Sequence, residues 1–315
     1  MKKLLKNNEL DINKIEINPL LEKLRDYPKA KKPINNFFIS FDGTKIFYRT
    51  WKPLSTVKKI IIVSHGMGGH GEFFVLLADR LIEHGIMVIV PDYRNHGHSE
   101  GKKGDLKKFR YILKDLCHFI NSIRQIYKNT PIYLFGESMG GTVCVNFAKE
   151  FTEVFLSLSG LILFAPGIKV KFSKKSLLIL ISLIFPLLLL RIFAPSKKII
   201  SAKGREELEI KNPIHQQYDL EDSLHLEKIS SRYLLQLLKY MRKTEKIAPL
   251  ISIPVIIFQG TQDKGISPEG VQDFFERLAS KDKKLELIEG GYHTLLTDPN
   301  FQTKWSILIN WLNQH

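Results

Sequence analysis

Cysteine is scarce in this sequence. Cys117 and Cys144 are the only two in 315 residues, and both lie inside apolar periodic stretches rather than at framework or zinc-site spacings. That excludes a disulfide-stapled scaffold. Long apolar runs are also lacking. The exception, residues 177–190, is broken by Ser182 and Pro186 and is short of the roughly 17–25 residues a membrane-spanning helix needs. The N-terminus is basic but never develops the apolar stretch of about 7–15 residues that defines a secretory signal, so a cytoplasmic chain is expected, peripheral at a membrane surface where it meets one. Acidic residues are missing from 167–204, whereas Lys169, Lys171, Lys174, Lys175, Arg191, Lys197, Lys198 and Lys203 all fall there. This one stretch supplies over half of a net charge of +15, from 47 Lys+Arg against 32 Asp+Glu. The excess favours anionic partners, and basic flanks around an apolar centre suit an anionic lipid surface. Nucleic acid is not expected, because no basic module interleaved with aromatics is present. No internal repeat occurs at any fixed period.

The residues that are present describe an ordinary large core, with 44% apolar and 25% charged residues. Residues 1–36 read as a basic, polar N-terminal arm. Asp42-Gly43 then separates two alternating apolar runs, the signal for a β-hairpin. Short β-branched or aromatic runs follow at 60–64, 86–91, 132–135, 161–164, 255–259 and 285–289, and all read as buried strands. Between them, Phe109, Ile112, Leu113, Leu116, Ile120, Ile123 and Tyr127 recur at three- and four-residue spacing, which predicts an amphipathic helix. Strands alternating with helices indicate an α/β fold with a mostly parallel sheet and helices on both faces. From 166 to 250 the alternation stops and no good strand is evident. The expected organisation is therefore a core of 37–165 and 251–315 with 166–250 inserted as a helical cap or lid.

The sharpest local signal is Gly136-Glu137-Ser138-Met139-Gly140-Gly141, between the strand IYLF and the apolar helix TVCVNFAKEF. G-x-S-x-G at a strand-to-helix turn exposes a serine hydroxyl on a strained backbone, and small neighbours are needed to allow the turn. A serine hydroxyl is a weak nucleophile that needs a base, and the base needs an orienting carboxylate. Asp263 directly follows the strand PVIIFQG, and His293 follows the strand LELIEGG. The chain order Ser138, Asp263, His293 is the one this geometry uses, and strand C-termini in a parallel sheet share one edge. The backbone N–H of Met139 would be one oxyanion donor. The Gly-rich loop 66–71 after the strand IIIVSH would bring the N–H of Met67 as a second. That loop lacks both the dinucleotide and the phosphate-loop pattern.

Taken together, HGMGGHGEFF, PDYRNHGHSEG, GESMGG, GTQD and GGYH make the chain resemble the α/β-hydrolase fold. Within it the match is to the monoglyceride lipase, lysophospholipase and serine aminopeptidase-like group, over roughly 37–313. The resemblance implies Ser138 as nucleophile, Asp263 as acid, His293 as base, and Met67 and Met139 as oxyanion donors. It implies structural support from 92–99, so Asp92, His96 and His98 are not read as catalytic, and no metal or cofactor is expected; the two histidines have metal-like spacing but no evident third ligand. One departure bears on substrate. Monoglyceride lipases follow H-G-x-G with Glu-His and then an Arg-Tyr pair that helps hold glycerol, whereas here the corresponding positions are Gly69, Phe73 and Phe74. The expected function is a serine hydrolase acting on a lysophospholipid or monoacylglycerol through an acyl-enzyme. A general carboxylesterase or serine peptidase on the same fold, or a non-catalytic binder of hydrophobic ligands, are the alternatives.

Overall fold

The structure is a computed structural model that describes residues 11–25, 28–171, 192–202 and 210–315, together with Pro186 and Leu189. Most of the apolar run 177–190, and with it Lys174, Lys175, Arg191 and Lys203, lies outside the described residues.

Among the described residues, eight strands form one sheet, in the spatial order 34–39, 45–51, 86–91, 59–64, 132–137, 160–164, 255–260 and 283–288. β1 (Ile34–Ile39) and β2 (Lys45–Trp51) are the hairpin expected around Asp42-Gly43, paired from Ile34↔Thr50 to Ile39↔Lys45. Gly43 takes φ +84° at the turn, and Asp42 Oδ1 accepts from Thr44 Oγ1 at 2.8 Å. β3 (Lys59–Ser64), β4 (Ile86–Pro91), β5 (Ile132–Glu137), β6 (Gly160–Phe164), β9 (Val255–Gly260) and β10 (Lys283–Ile288) are mutually parallel. Their near-continuous apolar sequences follow from burial on both faces. Ile60 and Ile62 of β3, with Ile132 and Leu134 of β5, enter one core with Ile112, Leu116 and Ile120 of helix Arg110–Ile126. Ile61, Val63, Tyr133 and Phe135 enter the other, against helices Val75–Leu81 and Trp305–Gln314. The structure is thus an α/β-hydrolase sheet with helices on both faces.

Between β6 and β9 the structure departs from the expectation of no strand. β7 (Lys198–Ser201) and β8 (Lys228–Ser230) pair antiparallel as a separate two-stranded ribbon. Runs of three or four residues flanked by lysine are too short to show a period, and their pairing is decided by the chain that lies beside them. Helix Pro213–Glu221 and helix Ser231–Ile247 also lie in this segment, the second capped by Ser230 Oγ accepting from Tyr233 N–H at 3.2 Å.

The N-terminal segment is also more firmly attached than a solvated arm. Leu21, Leu24 and Ala30 are buried in the second core, and β1 already begins at Ile34. Arg25 donates to both carboxylate oxygens of buried Asp79, at 2.7 Å each, and Asp79 Oδ1 also accepts from the N–H groups of Lys29 and Ala30 at 2.8 and 2.6 Å. A carboxylate with this many donors anchors the segment, because removing it strands buried donors. Asp79→Asn is expected to destabilise the fold by about 3–5 kcal/mol in urea unfolding, as for other broken buried ion pairs; an unchanged midpoint would show the segment is merely draped on the surface.

Candidate active site

The turn between β5 and helix Met139–Glu150 holds Ser138 at φ +53°, ψ −119°, in the left-handed half of backbone space where a non-glycine residue is strained. The flanking glycines are required by space. A Cβ on Gly140 would collide with the carbonyl oxygen of Ser64 on β3, and one on Gly136 would lie 2.8 Å from Cys144 Sγ and from the Gly140 carbonyl oxygen. Close approach of helix and neighbouring strand thus forces small residues on both sides of the serine, and the turn lifts its hydroxyl off the sheet edge.

His293 and Asp263 arrive at the same edge from the ends of β10 and β9. Ser138 Oγ lies 2.8 Å from His293 Nε2, and His293 Nδ1 lies 2.7 Å from Asp263 Oδ2. A carboxylate can only accept here, so Nδ1 carries the proton and Nε2 is left to accept from the serine hydroxyl. Asp263 is completely buried. Its Oδ1 accepts from the N–H groups of Gly265 and Ile266, each at 2.8 Å, and its Oδ2 also accepts from Gln259 Nε2 at 3.0 Å. Burial opposes its charge, but His293 and these donors hold its pKa below the ordinary carboxylate value. The arrangement can therefore deprotonate the serine and stabilise the resulting imidazolium.

The loop 66–71 wraps beside Ser138, with Gly66 close enough that a Cβ on it would sit 3.6 Å from the serine Cβ. Its entry is set by His65, whose Nδ1–H donates to the Gly66 carbonyl at 2.8 Å while Nε2 accepts from Tyr93 N–H at 3.0 Å. Burial lowers the His65 pKa to about 3, so the ring stays neutral and keeps both bonds. Its exit is held by Asp92, which accepts from Gly71 N–H at 2.7 Å, His98 N–H at 2.8 Å and Arg49 Nη1 at 2.9 Å. His96 faces Tyr233, with 3.0 Å between Nε2 and the phenol oxygen, and His98 packs on Phe47. Neither histidine nor Asp92 lines the cavity at Ser138, whereas Met67 and Met139 both do.

That cavity has a volume of about 310 Å³ and a mixed lining. Val170, Leu234, Leu237, Leu238, Met241 and Ile266 give it apolar surface. Glu137, His70, His215, Asp219, Asp222 and His225 contribute polar groups. Phe73, expected to be a lost polar contact, stacks on His215 with ring centres 4.4 Å apart. His70 Nε2 meets Asp222 Oδ2 at 2.6 Å. Burial penalises a charged His70, but Asp222 outweighs that and raises its pKa; burial also disfavours charge on Asp222, yet the bond to His70 brings it down to about 2. Burial lowers His215 to about 3, leaving it neutral.

The motifs pointed to Ser138, Asp263, His293, Met67 and Met139, and the first three meet in one hydrogen-bonded chain. The polar groups of the lining carry no sequence signal of their own. Glu137 stood in view as the variable residue of G-x-S-x-G, but Asp219, Asp222 and His225 lie in a segment with no motif, and only folding brings them to the serine. No helix among the described residues is long and apolar enough to cross a membrane, and none of their His, Cys, Asp and Glu side chains cluster to hold a metal ion.

A strained nucleophilic turn, a buried acid–base pair and a mostly parallel sheet are together the arrangement of an α/β-hydrolase. The family model described as "Serine aminopeptidase, S33" matches residues 55–300, and the chain belongs to that family of hydrolases. Monoglyceride lipase from Rattus norvegicus is 30% identical over 260 residues, 82% of each chain, and the Homo sapiens protein is 28% identical over the same length. Phospholipase YtpA from Bacillus subtilis is 26% identical over 253 residues, 79% of this chain and 93% of its own. In fold, the chain is similar to a soluble variant of monoglyceride lipase from Saccharomyces cerevisiae solved with a substrate analogue, with a TM-score of 0.81 and 24% identity over 92% of this chain and 98% of that one.

Glu137 gives the site a measurable signature. Its carboxyl is buried with Oε1 unpartnered, and burial raises its pKa from the ordinary 4.5 to about 7, with His293 pulling the other way. Between those two values the native state keeps a proton that the unfolded chain releases, so this residue makes stability fall as pH rises through the window. Glu137→Gln stays neutral at every pH. Wild type is expected to lose about 3 kcal/mol more than the variant between pH 4.5 and 8; parallel stability profiles would refute the assignment.

Proposed function

We propose that the protein hydrolyses an acyl ester of a lipid through an acyl-enzyme, with Ser138 as nucleophile, His293 as base and Asp263 as the orienting acid. The observation that carries this is the hydrogen-bonded chain from Asp263 through His293 to Ser138, opening onto a cavity with apolar surface. The Ser138 hydroxyl attacks the ester carbonyl and passes its proton to His293 Nε2, while Asp263 stabilises the imidazolium. The N–H groups of Met67 and Met139 receive the oxyanion. His293 then returns the proton to the departing alcohol, and a water activated by the same histidine frees the fatty acid. The apolar surface takes the acyl chain. The family membership supports a carboxylic ester hydrolase, and the monoglyceride lipase and phospholipase relatives support a lipid substrate.

Charge favours one head group. The described cavity lining holds no lysine or arginine to receive a phosphate, and its acids are already engaged or neutralised, Asp222 by His70, Asp219 by His225 and Glu137 by burial. An uncharged alcohol fits that lining better than a phosphodiester, so a monoacylglycerol is preferred over a lysophospholipid. Residues 166–250 act as a cap on a core of 37–165 and 251–315. The basic stretch 167–204 brings the protein to anionic membrane surfaces, supported by its eight Lys and Arg without an acid.

A mass-spectrometric panel of monoacylglycerol, lysophospholipid, short-chain ester and aminoacyl amide tests the reading. Wild type is expected to release fatty acid fastest from monoacylglycerol, with Ser138→Ala slower by about a thousandfold or more. Release from the amide alone would replace the lipase with a peptidase, and a fluorophosphonate that leaves folded Ser138 unlabelled would remove catalysis altogether. For the membrane contact, converting Lys174 and Lys175 to Glu is expected to weaken binding to phosphatidylserine vesicles roughly tenfold or more, at about 1 kcal/mol per basic residue lost. Equal binding would overturn it.

A further inference from the structure

Glu137, the last residue of β5, lines the cavity directly beside the nucleophile and is 8% exposed. Its Oε1 is buried with no hydrogen-bond partner. The other two acids of the described lining, Asp222 and Asp219, are ion-paired with His70 and His225, and no lysine or arginine of that lining offsets Glu137. Consecutive Cα atoms are about 3.8 Å apart, so the carboxyl stays within roughly 11 Å of Ser138 Oγ in any rotamer. Burial raises its pKa to about 7, which leaves it neutral in mild acid and charged in mild base.

The reaction brings a changing charge to this spot. In the transition state the oxyanion is accompanied by the imidazolium of His293, so the reacting groups carry no net charge. Water then splits the acyl-enzyme, Ser138 recovers its hydroxyl, His293 returns to neutral and the fatty acid gives its proton to solvent. One uncompensated negative charge is left where the acyl carbon was bonded, held by the same N–H groups that received the oxyanion. The chemistry fixes that carboxylate at Ser138, whichever part of the cavity takes the chain. An ionised Glu137 therefore repels the product more than the transition state. We propose that Glu137 is a specificity-determining residue that discriminates by charge, admitting the neutral ester and expelling its anionic product.

This inference rests on the lipid esterase reading, and the test separates the two. Octanoate and 1-octanol are titrated as protectants of Ser138 against a fluorophosphonate, in wild type, Glu137→Gln and Glu137→Asp. The titrations are run at pH 5.5 and 8.5, both above the ordinary carboxylate range, so octanoate is an anion throughout. At pH 8.5 Glu137→Gln is expected to bind octanoate about tenfold tighter than wild type, the effect of removing a like charge roughly 10 Å away at an effective dielectric of about 20, while octanol changes by less than about twofold. At pH 5.5 Glu137 holds its proton, and the two proteins should bind octanoate alike, which also reports an intact cavity. Glu137→Asp keeps the charge and should stay near wild type. The other titratable groups of the lining are His65 and His70 from the loop after β3, His215, Asp219, Asp222 and His225 from between β6 and β9, and His293 after β10. All three proteins share them, so their titration cancels in the comparison. Equal octanoate affinity at pH 8.5, or a tightening that octanol or pH 5.5 shares, would overturn the role of Glu137 and leave the esterase reading standing. A wild-type Ser138 that takes no label would overturn that reading and this inference with it.

Discussion

The close approach of helix Met139–Glu150 to the end of β3 is the constraint on which the site depends. Ser64 and Gly140 meet with no room for a side chain, and this crowding leaves Ser138 at positive φ. The strain is sustained because the surrounding sheet is buried on both faces and cannot relax toward water. The same crowding sets where the loop 66–71 runs, since that loop leaves β3 one residue past the contact. A nucleophile raised off the sheet edge and a loop of backbone N–H groups beside it are consequences of one packing event.

A second network ties the sheet to the segment between β6 and β9. Asp92, at the end of β4, holds Arg49, Gly71 and His98 together. His70, one residue before Gly71, reaches across to Asp222, and Leu226 bonds Gly68. The loop beside the serine is thus held by the sheet on one side and by residues between β6 and β9 on the other. Buried charges so arranged are costly unless paired, and their pairing fixes the loop to both. His70 and Asp222 of this network also line the cavity at Ser138.

Much of the fold was legible in residue patterns. Runs such as IIIVSH and VIIFQG are apolar on consecutive positions because both faces of the sheet are covered, and the spacing from Phe109 to Tyr127 traces one face of a helix. β7 and β8 were not legible, because Ile199, Ile200 and Ile229 sit in runs too short to carry a period and gain strand geometry from each other. The attachment of the N-terminal segment was hidden for a similar reason. Arg25 and Asp79 are 54 residues apart, and nothing local distinguishes Arg25 from the other cations of a basic stretch.

By itself the sequence determined the parts whose chemistry is local. Gly136, Ser138 and Gly140 announce a tight strand-to-helix turn because that turn tolerates few side chains, and Asp263 and His293 stand directly after recognisable strands. Tertiary structure alone decided what surrounds them. That Asp219 and His225 line the same cavity as Ser138 and that Phe73 stacks on His215 depend on where a segment without a motif comes to rest. Backbone constraints leave their mark on neighbouring residue types, whereas a cavity wall is assembled from distant side chains that satisfy one another only after the chain has folded.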